Sequence, residues 1–165
     1  MLKRLFWFRH ERRIKRLLNN GLQVGQDTIM FNEDEDYGYN YNMVKIGSRC
    51  VIASGVKFIT NPAIIKCMPD LNHSVCNEIV VCDNSFLGIN SIIYPGVVIG
   101  PNSIVGAGAV VTEDVPPNMC VSGNPLQVNC TVDFYRSICK RGAIPEYRTI
   151  NKRELLKKYF WGNNE

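Results

Sequence analysis

The sequence predicts an all-β protein in which hexapeptide repeats stack as a parallel β-helix, and two observations carry this prediction. A branched aliphatic residue recurs at every sixth position between residues 79 and 115, and a small or β-branched residue precedes each one by two places. Turn-forming Gly, Pro, Asn and Asp lie between them. The aliphatic set is Val81, Leu87, Ile93, Ile99, Val105 and Val111, and the preceding set is Ile79, Ser85, Ser91, Val97, Ser103 and Ala109.

The six-residue period excludes the ordinary elements. Six residues advance an α-helical side chain by about 240°, which would scatter the aliphatic set around the helix. One continuous strand would not tolerate so many Gly, Pro and Asn residues. Each hexapeptide must therefore be a short strand followed by a turn, with the aliphatic residues pointing into a shared core. An ordinary β-sandwich with regular turns is the alternative, and the strict period disfavours it.

Three runs of this sequence resemble the hexapeptide-repeat acyltransferase superfamily: Val80–Gly100, Ile104–Asn118 and Ser122–Pro125. The chain looks most like the galactoside and maltose acetyltransferases and the sugar O-acetyltransferases of surface-polysaccharide clusters. The resemblance covers roughly residues 21–128. It implies a left-handed coil with three repeats per turn and a homotrimer with sites between subunits.

Residues 1–20 are predicted to form a basic N-terminal helix. Apolar and basic residues fall on different sides of it, and Asn20–Gly21 provides a C-terminal stop. The basic face leaves several roles open, namely a solvated surface, contact with nucleic acid or an anionic membrane, or attraction of coenzyme A. No aromatic-basic interleaving or reader motif favours nucleic acid.

Residues 21–128 are predicted to form the β-helix, with two interruptions. Phe31–Met43 is acidic and aromatic, and it reads equally as a solvated loop or distorted coil, or as one wall of an acceptor pocket. The repeat resumes over Val44–Ile59, and the excursion loop 61–77 then abandons the period. Long loops that leave a regular scaffold are often functional.

Residues 129–165 are predicted to form a C-terminal tail that caps the last coil. Pro116–Pro117 stops the coil, and an exit segment runs from Met119 to Val128. Helix-compatible pieces follow at Asp133–Lys140 and Lys152–Trp161. A terminal helix would cover the unpaired edge of the last coil.

The composition places the chain in a broad class. At 165 residues with a net charge of +4 it is one domain, and no apolar run approaches the ~20 residues of a membrane span. We expect no signal peptide. The seven cysteines include no Cys-x-x-Cys pair, which favours reduced thiols in a cytoplasmic protein over disulfides or a metal site.

The catalytic base is the part of the predicted site for which the expected residue type is missing. Acetyl transfer to a hydroxyl needs a base and a donor for the oxyanion. The resemblance places a His directly after Ile59–Thr60, where this chain has Asn61, and an amide cannot accept a proton at neutral pH. His73 in the excursion loop is the candidate replacement, with Asp70 as an orienting partner, but a substrate contact or no role stays open. Asn61 would orient the acceptor or polarise the thioester carbonyl.

The cofactor side follows the resembled family more closely. The resemblance implies acetyl-CoA as the co-substrate, and the small residues at 106–109 would let its pantetheine arm approach the backbone. Those residues also suit tight turns. Glu113 stands where many members carry Lys, which removes a cation from the phosphate region. The implied coenzyme A contacts are Phe86, Gly88, Ala107, Gly108, Ala109, Thr112, Asn124 and Pro125.

The sequence therefore predicts an O-acetyltransferase that moves an acetyl group from acetyl-CoA to a hydroxyl of a saccharide or sugar-linked intermediate. One alternative is a catalytically impaired relative that serves as a binding or assembly scaffold, which the Asn at position 61 favours. Another is a xenobiotic acetyltransferase acting on an antibiotic hydroxyl. The acceptor itself depends on the irregular segments, about which the repeat is silent.

Overall fold

The computed structural model describes residues 12–31, 37, 40–62, 66–68, 70 and 76–141. Within these ranges the chain forms short strands, a 3-10 turn at Tyr41–Met43 and two helices, α1 (residues 12–19) and α2 (Val132–Arg141). The strands are β1 (Gln23–Val24), β2 (Ile29–Met30), β3 (Val44–Ile46), β4 (Val51–Ile52), β5 (Lys57–Phe58), β6 (Ile79–Val81), β7 (Phe86–Leu87), β8 (Ile92–Ile93), β9 (Val98–Ile99), β10 (Ile104–Val105), β11 (Val110–Val111), β12 (Met119–Ser122) and β13 (Gln127–Thr131).

Successive strands from β3 to β11 are distributed in rotation over three sheets. Sheet A has the order β1-β3-β6-β9, sheet B the order β13-β12-β10-β7-β4-β2, and sheet C the order β11-β8-β5. The pairing among β1 to β12 is parallel, and Val80 lies opposite Val98, Phe86 opposite Ile104 and Ile92 opposite Val110. Each pair is separated by 18 positions, so three hexapeptides lie between a strand and its neighbour in the same sheet.

The predicted interior is confirmed. None of the twelve periodic residues between Ile79 and Val111 is more than 2% exposed. Each fully buried aliphatic side chain contributes about 1.5 to 3 kcal/mol as an upper limit, because the unfolded chain already buries part of that area. The six-residue repeat is therefore a packing pattern that builds one continuous core.

The Asn and Gly residues between the strands are explained by backbone conformation. Asn84, Asn90, Gly96, Asn102 and Gly108 all have positive φ, between 58° and 84°. They recur every six residues, once at each corner where the chain passes from one sheet to the next. Gly adopts this left-handed conformation without strain, and Asn tolerates it better than most residues.

A second repeating feature is a column of inward polar side chains, each donating to a backbone carbonyl of the next coil. Thr28 Oγ1 donates to the Gly47 carbonyl at 2.7 Å, and Ser85 Oγ donates to the Gly100 carbonyl at 3.0 Å. The corresponding donors in the other two coils are Cys50 Sγ to Cys82 O at 3.2 Å and Ser103 Oγ to Pro116 O at 2.8 Å. These bonds satisfy buried polar groups where the coils stack.

Cys50 makes the stability of the fold sensitive to alkaline pH. Burial raises the pKa of its thiol above the ordinary value, and the charge of Asp83 adds to the rise. The folded state therefore holds the proton more tightly than the unfolded state. This stabilisation is complete below the unfolded-state pKa and is lost as pH rises through the folded-state pKa.

We expect the free energy of unfolding, measured with urea, to fall between about pH 8 and pH 10, and Cys50→Ser to lose less over that range. Serine keeps a donor of the kind found at Ser85 and Ser103 and does not titrate there. Cys139→Ser, on an exposed position of α2, is the matched control and should show the wild-type loss. An alkaline loss of equal size in Cys50→Ser would contradict the assignment.

Two interruptions break the 18-residue spacing without disturbing the pairing. Gln23 lies opposite Lys45, 22 positions on, so the first interruption adds four residues. Val44 lies opposite Ile79, 35 positions on, so the second adds 17. The second number equals the length of the predicted excursion loop 61–77, much of which lies outside the described residues.

Tyr37 favours a distorted coil, one of the alternatives open for Phe31–Met43, over a solvated loop or an acceptor wall. Its side chain is fully buried, and its ring stacks on Phe58 with centroids 5.1 Å apart and planes at 15°. Its hydroxyl donates to Met30 Sδ at 3.5 Å. Part of this segment therefore belongs to the core, and Tyr37 is not available as a wall of an acceptor pocket.

The N-terminal helix ends as predicted. The Leu22 N–H donates to the Leu17 carbonyl at 3.1 Å across Gly21, which has φ +99°. This six-to-one bond at a left-handed Gly is a common helix C-cap. Leu17 is 1% exposed and anchors the helix to the core. Residues 1–11 of the predicted helix lie outside the described residues.

The exit segment forms an antiparallel hairpin, which the sequence analysis did not predict. Strand β13 pairs with β12, and a bulge follows Cys120. The chain divides into two compact units, Met1–Asp133 and Phe134–Glu165. Helix α2 confirms the predicted piece Asp133–Lys140, whereas Lys152–Trp161 lies outside the described residues, and the capping role stays a prediction. Among the described helices, none is long and apolar enough to cross a membrane.

Candidate functional site

Several predicted cofactor contacts stack at one corner, between sheets B and C. A Cβ on Gly88 would lie 2.5 Å from the Ala107 nitrogen, and a Cβ on Gly106 would lie 2.7 Å from Ser122 Cβ. Three consecutive coils therefore approach each other too closely for side chains at these glycines. We call this surface the glycine corner, and it comprises Gly88, Gly106–Gly108 and Ser122–Pro125.

Gly108 is the open point of the glycine corner. Its φ is +67°, and a Cβ placed on it would have no described atom within 4 Å. Its N–H donates to the Ile89 carbonyl at 2.8 Å, which fixes the turn. Asn90 holds the equivalent position one coil below, with φ 58°. The absence of a side chain at Gly108 is thus not required by packing, and it leaves the backbone accessible.

Ala109 differs from its neighbours because its side chain is fully buried in the core. Its N–H donates to the Gly106 carbonyl at 3.3 Å, and its carbonyl accepts from the Ile92 N–H at 2.9 Å. Ala107, by contrast, is exposed. Of the two alanines, only Ala107 presents a side chain to the surface.

The glycine corner adjoins a sheet edge. Strand β11 is the terminal strand of sheet C, and the Val110 N–H donates to the Gly123 carbonyl of the exit turn at 3.1 Å. Thr112 follows β11 and is exposed, as are Asn124 and Pro125 in the exit turn. This edge gives a ligand access to main-chain groups of the kind that hold an extended polar chain.

A second group of residues lies at the opposite side of sheet C. Ile59, Tyr94 and Thr112 each directly follow a strand of this sheet and stack in register, since Ile59 N donates to Ile93 O at 2.8 Å and Tyr94 N to Val111 O at 2.9 Å. Asn61 is exposed two positions after Ile59. Two strand spacings, or about 10 Å, separate its coil from that of Thr112.

Tyr94 was missed by the sequence analysis. It is 38% exposed and lies between the coils of Asn61 and Thr112. The sequence contains a signal for this residue. Tyr94 precedes Thr112 by 18 positions, the spacing that places two residues in register on neighbouring strands of the same sheet.

The predicted residues therefore fall into two clusters joined by sheet C. The glycine corner lies at one side, with Phe86 next to it on the outer face of sheet B, where it is 40% exposed. Thr112 and Asn61 lie at the other side. Three residues lie between Gly108 and Thr112, so four residue steps of extended chain, a span of about 13 Å, separate them. An elongated ligand is needed to contact both clusters at once.

The candidate base lies outside the described residues, as does the other histidine, His10. Asp70, its proposed partner, is described and exposed. Within the described ranges no group of three or more His, Cys, Asp or Glu side chains is placed to hold a metal ion. Glu113 is exposed beside Thr112, and the cation on the outer face of sheet C is Lys57.

A groove of about 620 Å³ runs along sheet A, away from these clusters. Lys45 lines it and is paired with Glu78 through Nζ and Oε2, 2.7 Å apart. None of the predicted site residues lines this groove. It is therefore not part of the predicted cofactor path.

Comparison with known proteins gives consistent matches. Residues 78–113 match the family described as bacterial transferase hexapeptide (six repeats). Protein CapG from Staphylococcus aureus is 36% identical over 147 residues, which cover 84% of this chain and 84% of CapG. Galactoside O-acetyltransferase from Escherichia coli (strain K12) is 46% identical over 86 residues, which cover 52% of this chain and 42% of that enzyme.

A solved structure extends these matches to the fold. The hexapeptide-repeat acetyltransferase from Vibrio cholerae O1 biovar eltor, in complex with acetyl coenzyme A, superposes with a TM-score of 0.57 at 26% identity. The superposition covers 67% of this chain and 60% of that chain. The chain thus spans less than two thirds of that acetyltransferase and of the Escherichia coli enzyme.

Proposed function

The chain belongs to the hexapeptide-repeat family of bacterial transferases, and we propose that it is an O-acetyltransferase that uses acetyl-CoA to acylate a hydroxyl of a saccharide or sugar-linked intermediate. The observation that carries the proposal is the likeness, in sequence and in fold, to proteins named as acetyltransferases, one of them a galactoside O-acetyltransferase and one solved with acetyl coenzyme A. The 18-residue register of the strands and the open glycine corner fit that chemistry.

We further propose that the three sheets close into a left-handed β-helix and that three copies form a homotrimer with a site between each pair of subunits. Three apolar side chains on the middle coil support this assembly, since Phe86, Ile89 and Tyr94 are 40%, 54% and 38% exposed in the single chain. Exposed apolar surface of this kind is typical of a face that another subunit covers. Sedimentation equilibrium should give three times the 18.7 kDa chain mass. A monomer at assay concentration would contradict the shared site.

In this proposal acetyl-CoA lies along sheet C, with its pantetheine arm on the glycine corner. Ala107 and Gly108, both exposed, would admit the arm. Gly88 is buried beneath Ala107 and would serve only by letting the two coils pack closely, and Ala109 would contribute through its backbone alone. Phe86 and Thr112 would flank the path, and Asn124 and Pro125 would shape the nucleotide end. The bound cofactor supplies the activated acetyl thioester.

Gly108→Asn tests this path. Asn90 shows that the corner accepts Asn in the left-handed conformation, so we expect the melting temperature to change little. The new side chain would project into the proposed pantetheine path, and we expect the KM for acetyl-CoA to rise about 10-fold or more, which corresponds to 1.4 kcal/mol or more of lost binding. Thermal unfolding and initial-rate kinetics measure the two effects.

Asn90→Gly is the matched control, because it removes a side chain at the equivalent corner one coil below. Its KM for acetyl-CoA should stay near that of the wild type. An unchanged KM in Gly108→Asn would place the cofactor elsewhere.

The proposed reaction is a direct transfer. The acceptor hydroxyl oxygen attacks the thioester carbon, His73 takes the hydroxyl proton, and the carbon–sulfur bond breaks to release coenzyme A, whose sulfur regains a proton. The Asn61 side-chain N–H would donate to the thioester carbonyl oxygen or hold the acceptor, since an amide can donate but cannot act as a base. Asp70 would orient His73.

Thiol release from acetyl-CoA, followed against a panel of sugars and nucleotide sugars, tests the function. We expect release that depends on one acceptor class, with the acetylated product identified by mass spectrometry. A parallel calorimetric titration with coenzyme A separates binding from transfer. Failure to bind coenzyme A would refute the acyltransferase assignment.

A binding or assembly scaffold is the second candidate, and the Asn at position 61 is the observation that favours it. It predicts coenzyme A binding without transfer to any acceptor. Transfer to an antibiotic hydroxyl, read in the same assay, would instead favour the xenobiotic alternative. We also propose a cytoplasmic location, for which the support is the sequence: seven cysteines without a Cys-x-x-Cys pair favour reduced thiols.

A further inference from the structure

Two cysteines face each other across the exit hairpin. Cys120 of β12 lies opposite Cys130 of β13, next to the bulge. Opposed residues in an antiparallel pair point to the same side, with Cα atoms about 4.5 to 5.5 Å apart. A disulfide spans Cα atoms about 4.4 to 6.8 Å apart. Backbone pairing therefore holds the two thiols within bonding reach.

The two thiols differ in access. Val121 is 2% exposed and points into the core, so its neighbour Cys120 lies on the outer side of sheet B, in register with Ile104. Cys120 is nevertheless only 6% exposed, whereas Cys130 is half-buried. A small oxidant reaches Cys130 more readily than Cys120, which suits a reacting thiol and a resolving thiol.

We propose that Cys120 and Cys130 form a reversible cross-strand disulfide when the protein meets a peroxide. The Cys130 sulfur takes an oxygen from hydrogen peroxide to give a sulfenic acid and one water. The Cys120 sulfur then attacks the sulfenic sulfur, forming the disulfide and releasing a second water. Two thiols and one peroxide thus give one disulfide and two waters, and a dithiol reverses the change.

The bond would restrain the turn at the end of the glycine corner. It closes the segment between Cys120 and Cys130, which contains Ser122–Pro125, and this turn is already held through the bond from Val110 N to Gly123 O. Closing a loop removes conformational freedom from the unfolded chain, and we expect the melting temperature to rise by about 5 °C. Any change in coenzyme A affinity rests on the proposed function, whereas the disulfide itself does not.

The test treats the full-length protein with hydrogen peroxide, alkylates the remaining thiols and maps peptides without reduction. We expect a peptide in which Cys120 is linked to Cys130 within one chain, the loss of two alkylatable thiols, and recovery of both with dithiothreitol. Cys130→Ser should abolish the link and the rise in melting temperature. Cys139→Ser, which changes an exposed thiol on α2, should retain both.

Peptide mapping of the wild-type protein tests the disulfide by itself, so the test does not depend on whether a variant folds. Alkylation of both Cys120 and Cys130 after treatment, with oxidation found instead at the exposed Cys67 or Cys139, would overturn the proposal. So would a link from Cys130 to any cysteine other than Cys120. Neither outcome depends on whether acetyl transfer is detected.

Discussion

His73→Ala is expected to lower kcat for acetyl transfer by about 10²- to 10⁴-fold, the usual contribution of a general base. The expectation follows from Asn61, which stands where the resemblance implies the base and whose amide cannot take a proton. The chain contains two histidines, and only His73 lies in the excursion loop next to that position. Coenzyme A affinity should change little, because the proposed cofactor path runs along sheet C. Initial rates and a calorimetric titration measure the two quantities.

His10→Ala is the matched control, because it removes the other histidine in the predicted basic helix and should keep the wild-type rate. Asp70→Asn should lower kcat by less than His73→Ala if it acts by orienting the imidazole. Full activity in His73→Ala would show that another group accepts the proton. Asn61→Ala would then be the next variant to assay. If its turnover and acceptor affinity both stayed at the wild-type level, the proposed role of Asn61 would be contradicted.

Ile93→Ala is expected to reduce the free energy of unfolding by about 3 kcal/mol. Ile93 is fully buried, and its strand β8 lies between β5 and β11 in sheet C. The interior is a single column of side chains, so a cavity at Ile93 weakens contacts with the coils on both sides. Urea unfolding followed by circular dichroism measures the loss, at one protein concentration because assembly would contribute to stability.

Ile92→Ala provides the comparison within the same strand. Ile92 is half-buried and points outward, so its truncation should cost about 1 kcal/mol or less. Losses of equal size for the two variants would mean that the side chains are not sorted between a core and a surface as described.

The sequence was sufficient to predict the repeating part of the fold. Val81, Leu87 and Ile93 repeat a single requirement, a branched side chain in a narrow core, and Asn84 and Asn90 repeat another, a residue that tolerates positive φ. Because each requirement recurs at a fixed spacing, the pattern can be recognised in the sequence without knowledge of distant contacts. The interruption at 61–77 was predicted in the same way, because the fixed spacing stops before it and resumes after it.

Features that occur once were not predictable. Tyr37 reached the core in a segment whose acidic neighbours suggested a solvated loop, because its ring stacks on Phe58 and this contact has no local signature. Strand β13 was missed because its pairing with β12 arises from a turn at Ser122–Pro125 that the resemblance treated as an exit. The catalytic residues stay predictions, because Asn61 stands where the resemblance implies a His.

The two interruptions have an evolutionary implication. Additional residues enter at a corner, and the strands on either side still meet their partners in the same alignment. The residues of an inserted loop can therefore change while selection on the buried core of the stacked coils stays the same. New acceptor preferences would arise by rewriting a loop, with no need to redesign the scaffold that carries it.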